Sequence, residues 1–454
     1  MKLFLVIFLV PVTICSTNIA ITPELLESVF GNPGLASSEA SHPTTSIAQA
    51  VPVSPSQNDM ATGSEESLDQ YVPSNADYDK FDWTLTKRVA SSSRENFLIS
   101  PLGLKLALSI LMEAAAGATK TELTYVLGFN HDKNSVRQKF AMILDSLHTK
   151  SSQYILNLGS RIYVGASVKP QQHFAAVSEQ FYKTEIKSLD FGEPVNASKS
   201  INEWVASTTE GKITNLINPD DVAGISTLVL NTIFFLGSWA HQFPPNATRN
   251  DTFYLSGTEK KNTPFMNIRN KFYYTESTKF NAKILRMPYI GKKFAMYIIV
   301  PNSLTGLSDI FNDLSDLRSE LYYLQEHYVD VTLPKFQFEY TSHLDGILKE
   351  LGIRQAFEDT ASFPGIARSQ SLSNRMKISR VLQRSRIEVN ELGSVAFSAT
   401  EIALENKFGE ETMTSAEVIA NKPFLFFIQD ELTRQLLFTG RVSDPSIFEG
   451  AFKV

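Results

Sequence analysis

From Leu102 to Leu127, apolar residues recur at three- and four-residue spacing, which predicts helix with a buried face. Ile284 to Met287, Phe294 to Val300 and Val329 to Leu333 alternate or concentrate β-branched and aromatic residues, and so predict strands. Leu228 to Gly237 is a near-continuous apolar run of strand length, a candidate for a strand buried on both faces. Helical pattern dominates from about Lys80 to Glu210, and strands with turn signals dominate the remainder. No internal repeat is present. The expected class is α+β, organised by one large sheet. At the start, Lys2 precedes the apolar run Leu3 to Val10, then come Pro11 and small residues from Thr13 to Ser16. This pattern predicts a secretory signal over residues 1–16, since the run falls well short of the roughly 20 residues of a membrane-spanning helix. No later stretch is long and uncharged enough to span, so no membrane partner is expected.

Charge locates a boundary that hydropathy leaves open. Between Thr17 and Asp79 there are nine acidic residues and no Lys or Arg, in a context rich in Ser, Pro, Ala and Thr. Such a segment buries too little apolar surface to offset chain ordering, so residues 17–79 are expected to be a largely disordered acidic extension. It reads as a solubilising leader or as an arm that docks on a basic patch, with Leu25, Leu26, Val29 and Phe30 spaced as a short anchor. The remaining body, residues 80–446 with a short tail at 447–454, is close to neutral, and the whole chain of 454 residues has net charge -6. Nucleic acid is therefore not an expected partner. Cys15 is the sole cysteine and lies at the predicted signal, which leaves no internal disulfide in the body. Three glycosylation sequons, at Asn196, Asn246 and Asn250, accord with the secretory route.

A search for enzymatic chemistry comes back empty. Neither His-Glu-x-x-His nor paired Cys-x-x-Cys occurs, and the seven histidines are scattered, so no metal is expected. Gly211-Lys-Ile-Thr lacks the upstream glycine and the Ser or Thr directly after Lys that a phosphate-cradling loop needs, and no Gly-x-Ser-x-Gly turn is present. No cofactor is expected, and the chain reads as a non-enzyme.

Local strings along the body point elsewhere. Asn96-Phe-Leu-Ile-Ser-Pro-Leu-Gly103, Leu228-Val-Leu-Asn-Thr-Ile-Phe-Phe-Leu-Gly-Ser-Trp239, Leu285-Arg-Met-Pro-Tyr289, Leu333-Pro-Lys-Phe336, Ile387-Glu-Val-Asn-Glu391, Pro423-Phe-Leu-Phe426 and Leu437-Phe-Thr-Gly-Arg-Val442 follow one another in this order. Together they resemble the serpins, over about Phe81 to Pro445. The resemblance implies a large five-stranded central sheet, two smaller sheets, about nine helices and an exposed reactive loop near the C-terminus, about residues 391–422. It also implies serine protease inhibition. In inhibitory members the protease attacks the loop and is trapped as a covalent acyl-enzyme when the cleaved loop inserts as a new strand.

Insertion imposes a test, because period-2 geometry sends alternate side chains to opposite faces. The hinge implied by the resemblance is Glu391, Gly393, Ser394, Ala396, Ser398 and Thr400, small on the alternating inward face. The opposite face carries Phe397 and the charges Glu401, Glu405 and Lys407, expected to meet solvent. Leu392 and Phe397 depart from the family pattern. Counting sixteen residues on from Glu391, as inhibitory members place the scissile bond, gives Lys407-Phe408, which suits a trypsin-like pocket. Leu404, Glu405, Asn406 and Gly409 complete a recognition string, Glu405-Asn-Lys-Phe-Gly409. It resembles the loops of secreted insect serpins that restrain melanisation and Toll signalling. The implied partners are clip-domain serine proteases of haemolymph, met by a chain that is a monomer when free. Ser100, Asn231 and Gln383 match the positions where two central strands part, with Gly103 and Gln383 replacing a serine and a histidine. A noninhibitory serpin acting as carrier, chaperone or structural partner is the alternative. On the predicted fourth helix, Lys133, Arg137, Lys139 and, just beyond, Lys150 read as a solvated face in preference to a polyanion site.

Overall fold

The computed structural model describes residues 76–129, 132–147, 153–367, 376–394 and 415–446. Ten α-helices lie among them: α1 (Ala76–Ser92), α2 (Pro101–Ala114), α3 (Gly117–Leu127), α4 (Lys133–Leu147), α5 (Gln172–Tyr182), α6 (Pro194–Thr208), α7 (Pro219–Val222), α8 (Leu307–Asn312), α9 (Leu317–Glu320) and α10 (Asp345–Leu351). The helix expected from Leu102 to Leu127 is two. Ala115 leaves helical geometry at ψ 155° and Gly117 takes φ 54°, so the chain turns before α3 begins. Helix α2 starts where Ser100 caps it, its side chain accepting from the Gly103 amide, with Pro101 in the first turn. All fourteen residues of α2 are buried, which explains an apolar pattern wider than one face.

Six strands form the central sheet. In spatial order they are β10 (Phe336–His343), β11 (Arg380–Val389), β4 (Thr227–Ser238), β2 (Tyr154–Gly165) and β3 (Glu185–Leu189), with the two-residue β12 (Gly393–Ser394) attached to β4. Five full strands are thus present, as expected, plus a stub. Every residue of β4 is buried, in line with its unbroken apolar run.

The two smaller sheets are joined into one of nine strands. Its order is β1 (Phe97–Ile99), β15 (Leu436–Val442), β14 (Phe424–Asp430), β8 (Phe294–Pro301), β7 (Ala282–Pro288), β6 (Lys260–Ser277), β9 (Gln325–Pro334) and β13 (Ser415–Ile419), with β5 (Arg249–Tyr254) on β6. The join is β6, 18 residues long: Phe265 to Tyr274 pair with β9, and Tyr273 to Ser277 pair with β7.

The central sheet is covered on both faces. Helix α2 packs against β2 and β4 from below. On the other face Ala197, Ile201 and Val205 of α6 bury themselves against Tyr163, Leu228, Leu230 and Leu382, so α6 lies across β2, β4 and β11.

Candidate functional site

The central sheet contains a seam. Strands β4 and β11 run parallel and pair from Leu228↔Arg380 to Ile233↔Ser385, then their pairing stops although both continue upward. Beyond that point β12 lies antiparallel on β4, with Gly393 opposite Ser238 and Ser394 opposite Gly237. A strand running down between two parallel neighbours is antiparallel to both, and β12 has the first two residues of such a strand in place.

Residue by residue, the hinge is held from both sides. Gly393 sits at φ 149°, and a Cβ there would stand 2.1 Å from the Gly237 carbonyl oxygen, so only glycine fits. Ser394 is buried and its hydroxyl lies 2.8 Å from that of Tyr289, whose ring stacks on Trp239 at 4.6 Å. Burial raises the Tyr289 phenol above its ordinary value, so it stays a neutral partner for Ser394. Asn390 closes the turn, its side-chain oxygen accepting from the Leu392 amide at 3.0 Å and its carbonyl from Trp239 Nε1 at 3.0 Å. Glu391 is clamped by Lys335 Nζ at 2.9 Å and by the Thr248 hydroxyl at 2.8 Å. Burial alone would raise its carboxyl, but the hydrogen bonds from Lys335 and Thr248 outweigh it and hold the group below its ordinary value. The Phe243 and Trp239 amides donate to the Glu391 and Leu392 carbonyls, so segment 239–248 forms a collar round the hinge.

Lower in the seam, Ser100, Asn231 and Gln383 meet. The Ser100 amide donates to Gln383 Oε1 at 2.7 Å, and Gln383 Nε2 donates to the Ser100 carbonyl at 3.0 Å and to Asn231 Oδ1 at 3.1 Å. Asn231 Nδ2 in turn reaches the Gly159 carbonyl. One carboxamide therefore bridges β11, β4 and the start of α2. Gly103 leaves room for this arrangement of Asn231, since an added Cβ would fall 2.1 Å from Asn231 Oδ1 and displace that carboxamide.

A family model described as Serpin (serine protease inhibitor) matches residues 76–445, which spans the hinge, the seam and the whole of both sheets. The chain is a serpin. Over 375 residues this serpin is 32% identical to serine protease inhibitor 2 of Anopheles gambiae, covering 81% of its own chain and 91% of the relative. Among solved structures it resembles serpin48 of the insect Tenebrio molitor, at 29% identity and TM-score 0.74, covering 82% of this chain and 97% of that one. It also resembles human thyroxine-binding globulin complexed with thyroxine, at 25% identity and TM-score 0.73, covering 82% and 98%. The family is one of serine protease inhibitors.

Of the serpin's sequence-predicted site residues, Glu391, Gly393 and Ser394 lie together at the hinge, and Ser100, Asn231 and Gln383 lie together in the seam. Ala396, Ser398, Thr400, Leu404, Glu405, Asn406, Lys407, Phe408 and Gly409 fall outside the described residues, as does Phe397. Asn196, Asn246 and Asn250 are all exposed. On the face opposite the small residues, expected to be open to solvent, α6 covers the lower part of the seam, where Leu228, Leu230 and Leu382 pack against Ile201 and Val205. On α4, Arg137 turns inward to Glu113 with two bonds of 3.0 Å, and Lys133 approaches the same carboxylate at 3.7 Å. These two cations serve packing. Sequence reading missed Lys335, Thr248, Asn390 and Tyr289 as hinge partners. Lys335 and Tyr289 stood inside family strings and Thr248 inside a sequon, but nothing local ties them to Glu391 or Ser394. No helix among the described residues is long and apolar enough to cross a membrane.

Proposed function

We propose that this serpin is a secreted suicide-substrate inhibitor of trypsin-like serine proteases that restrains haemolymph clip-domain cascades, those of prophenoloxidase activation and Toll signalling. In this reading residues 1–16 are a signal, 17–79 an acidic extension, 80–446 the inhibitor with its loop at about 391–422, and 447–454 a tail. The protease serine adds to the Lys407 carbonyl carbon, the Phe408 amine leaves with a proton from the protease histidine, and the acyl-enzyme ester persists because loop insertion displaces the protease before water can attack.

The observation that carries the reading is the seeded strand, β12, sitting where the β4–β11 pairing stops. Continued without a bulge, its register sets Ala396 opposite Phe235, Ser398 opposite Ile233 and Thr400 opposite Asn231. Thr400 would then supply a hydroxyl where parting the strands breaks the Gln383–Asn231 hydrogen bond. Lys407, the only basic residue between Arg386 and Lys422, and its string Glu405-Asn-Lys-Phe-Gly409 support the trypsin-like, insect-cascade assignment.

The test is a denaturing gel of the purified chain with a trypsin-like clip-domain protease, run beside Lys407→Ala. A band at the summed mass, absent for the variant, supports trapping through Lys407; cleavage after Lys407 without that band means a substrate, not an inhibitor. The likeness to thyroxine-binding globulin favours one other reading, a noninhibitory carrier, and a loop left intact would move the assignment there.

A further inference from the structure

A cavity of about 480 Å³ opens where the end of α1, helix α8, the turn between β5 and β6 and the end of β15 meet. Sites for small molecules run from about 300 to 1,000 Å³, mostly apolar with a few placed polar groups. Leu255, Leu304, Leu307, Phe311 and Pro423 supply the apolar lining. Arg94 and Arg441 line the same space, and no acidic residue is among its described lining residues. None of these residues belongs to the central sheet or to the hinge.

Arg441 is a buried cation held without a countercharge. Its guanidinium lies 5.3 Å from the centre of the Phe97 ring and 5.7 Å from that of Phe311. Nε donates to the Glu95 carbonyl at 3.0 Å, Nη1 to that of Ala90 at 3.2 Å, and Nη2 to those of Ser93 and Glu95. These bonds use four of the five N–H groups of a guanidinium and leave one on Nη1. Burial pulls the group down to about 10; Tyr340 opposes the shift and the like charge of Arg94 adds to it. Asp444, the nearest acid along the chain, is taken by Lys261. Arg94 is exposed, and its side chain makes no ion pair among the described residues. A buried charge satisfied by carbonyl dipoles alone is costly, and an incoming carboxylate would relieve that cost through charge-assisted hydrogen bonds.

We propose that this cavity binds an amphipathic carboxylate, its acyl chain against the leucines and Phe311 and its carboxylate on the uncommitted Nη1 hydrogen of Arg441 and the guanidinium of Arg94. The site lies apart from the seam, so the proposal is independent of the inhibitor reading.

The test is titration calorimetry of the full chain with decanoate at submicellar concentration, beside acetate, which has the charge alone, and decanol, which has the chain alone. Decanoate is expected to bind at least about tenfold more tightly than either. Arg94→Lys should keep most of that affinity. Arg94→Glu should lose about tenfold or more, and Ser308→Trp, which adds bulk to the cavity lining, should lose as much. Arg94 and Ser308 are exposed, so the ligand-free melting temperature should be the same in all four chains. Decanol binding as tightly as decanoate would reveal apolar adsorption without charge recognition and overturn the proposal. Decanoate binding no better than acetate, or binding to Arg94→Glu or Ser308→Trp as it does to wild type, would overturn it equally.

Discussion

Gly393 shows how tightly single positions constrain the hinge. With the Gly237 carbonyl oxygen 2.1 Å from any added Cβ, Gly393→Val is expected to detach β12. Amide exchange at Ser394 should rise to the rate of an open loop, and stability should fall by about 1–3 kcal/mol. Glu391→Gln keeps the shape and removes the charge, so Lys335 loses its carboxylate, at a cost of about 1–2 kcal/mol by chemical denaturation. The pH dependence follows from the same clamp. The Glu391 carboxyl titrates lower in the folded chain than in the unfolded one, so its contribution is complete above the ordinary value of 4.5 and disappears as pH falls through the lower folded value. Gln383 adds no such dependence near neutrality. Gln383→His should introduce one: a buried imidazole between Ser100 and Asn231 resists protonation, and stability should drop below about pH 6.5 in that variant alone.

Two helices set the behaviour of whole elements. Helix α4 is fastened by Arg137 to the buried Glu113, and Arg137→Ala is expected to cost about 3 kcal/mol by leaving that carboxylate without its main partner. Because Arg137 and Lys133 are engaged there, heparin should leave the rate of protease trapping unchanged. Lys139, on the same helix, is held down to about 8 by burial and by the like charge of Lys105, with Asp82 partly compensating. An ammonium that loses its proton more easily when folded penalises the folded state below pH 8, and the penalty fades as pH rises towards 10.5. Lys139→Met should therefore stabilise at neutral pH, by no more than about 1 kcal/mol given its partial exposure. Helix α6 matters to the proposed insertion. Continuing the β12 register places Glu401 opposite Leu230, under the α6 cluster, where a carboxylate is unfavourable. Glu401→Gln should lower the number of inhibitor chains consumed per protease trapped; an unchanged stoichiometry would show that α6 has already moved aside when Glu401 arrives.

At the scale of the molecule, much was legible because it was local. The unbroken run of β4, the alternation of β7 to β9 and the ordered strings each sit within a dozen residues, and they carried the α+β class and the five full strands of the central sheet. What escaped was non-local. Glu391 is fixed by Lys335 and Thr248, 56 and 143 residues away, and no window of sequence pairs them. The face covered by α6 was read as open because alternation reports which residues share a side, not what lies over it. The joining of two small sheets through β6 escaped for a related reason, since pairing partners far along the chain decide where a strand ends. If the loop inserts as proposed, a strand of some ten residues gains backbone hydrogen bonds on two edges at about 1 kcal/mol each. Chain cut after Lys407 should then melt more than about 10 °C higher than intact chain.

The last strands also fix a schedule. β14 lies in the middle of the nine-stranded sheet, between β8 and β15, and every residue of β14 and β15 is buried. During synthesis β8 emerges more than a hundred residues before β14, so the edge it does not share with β7 waits unpaired until β14 has been made. Nascent chains halted at Asn421 should accumulate bound to chaperones, and those halted after Val442 has cleared the ribosome should not.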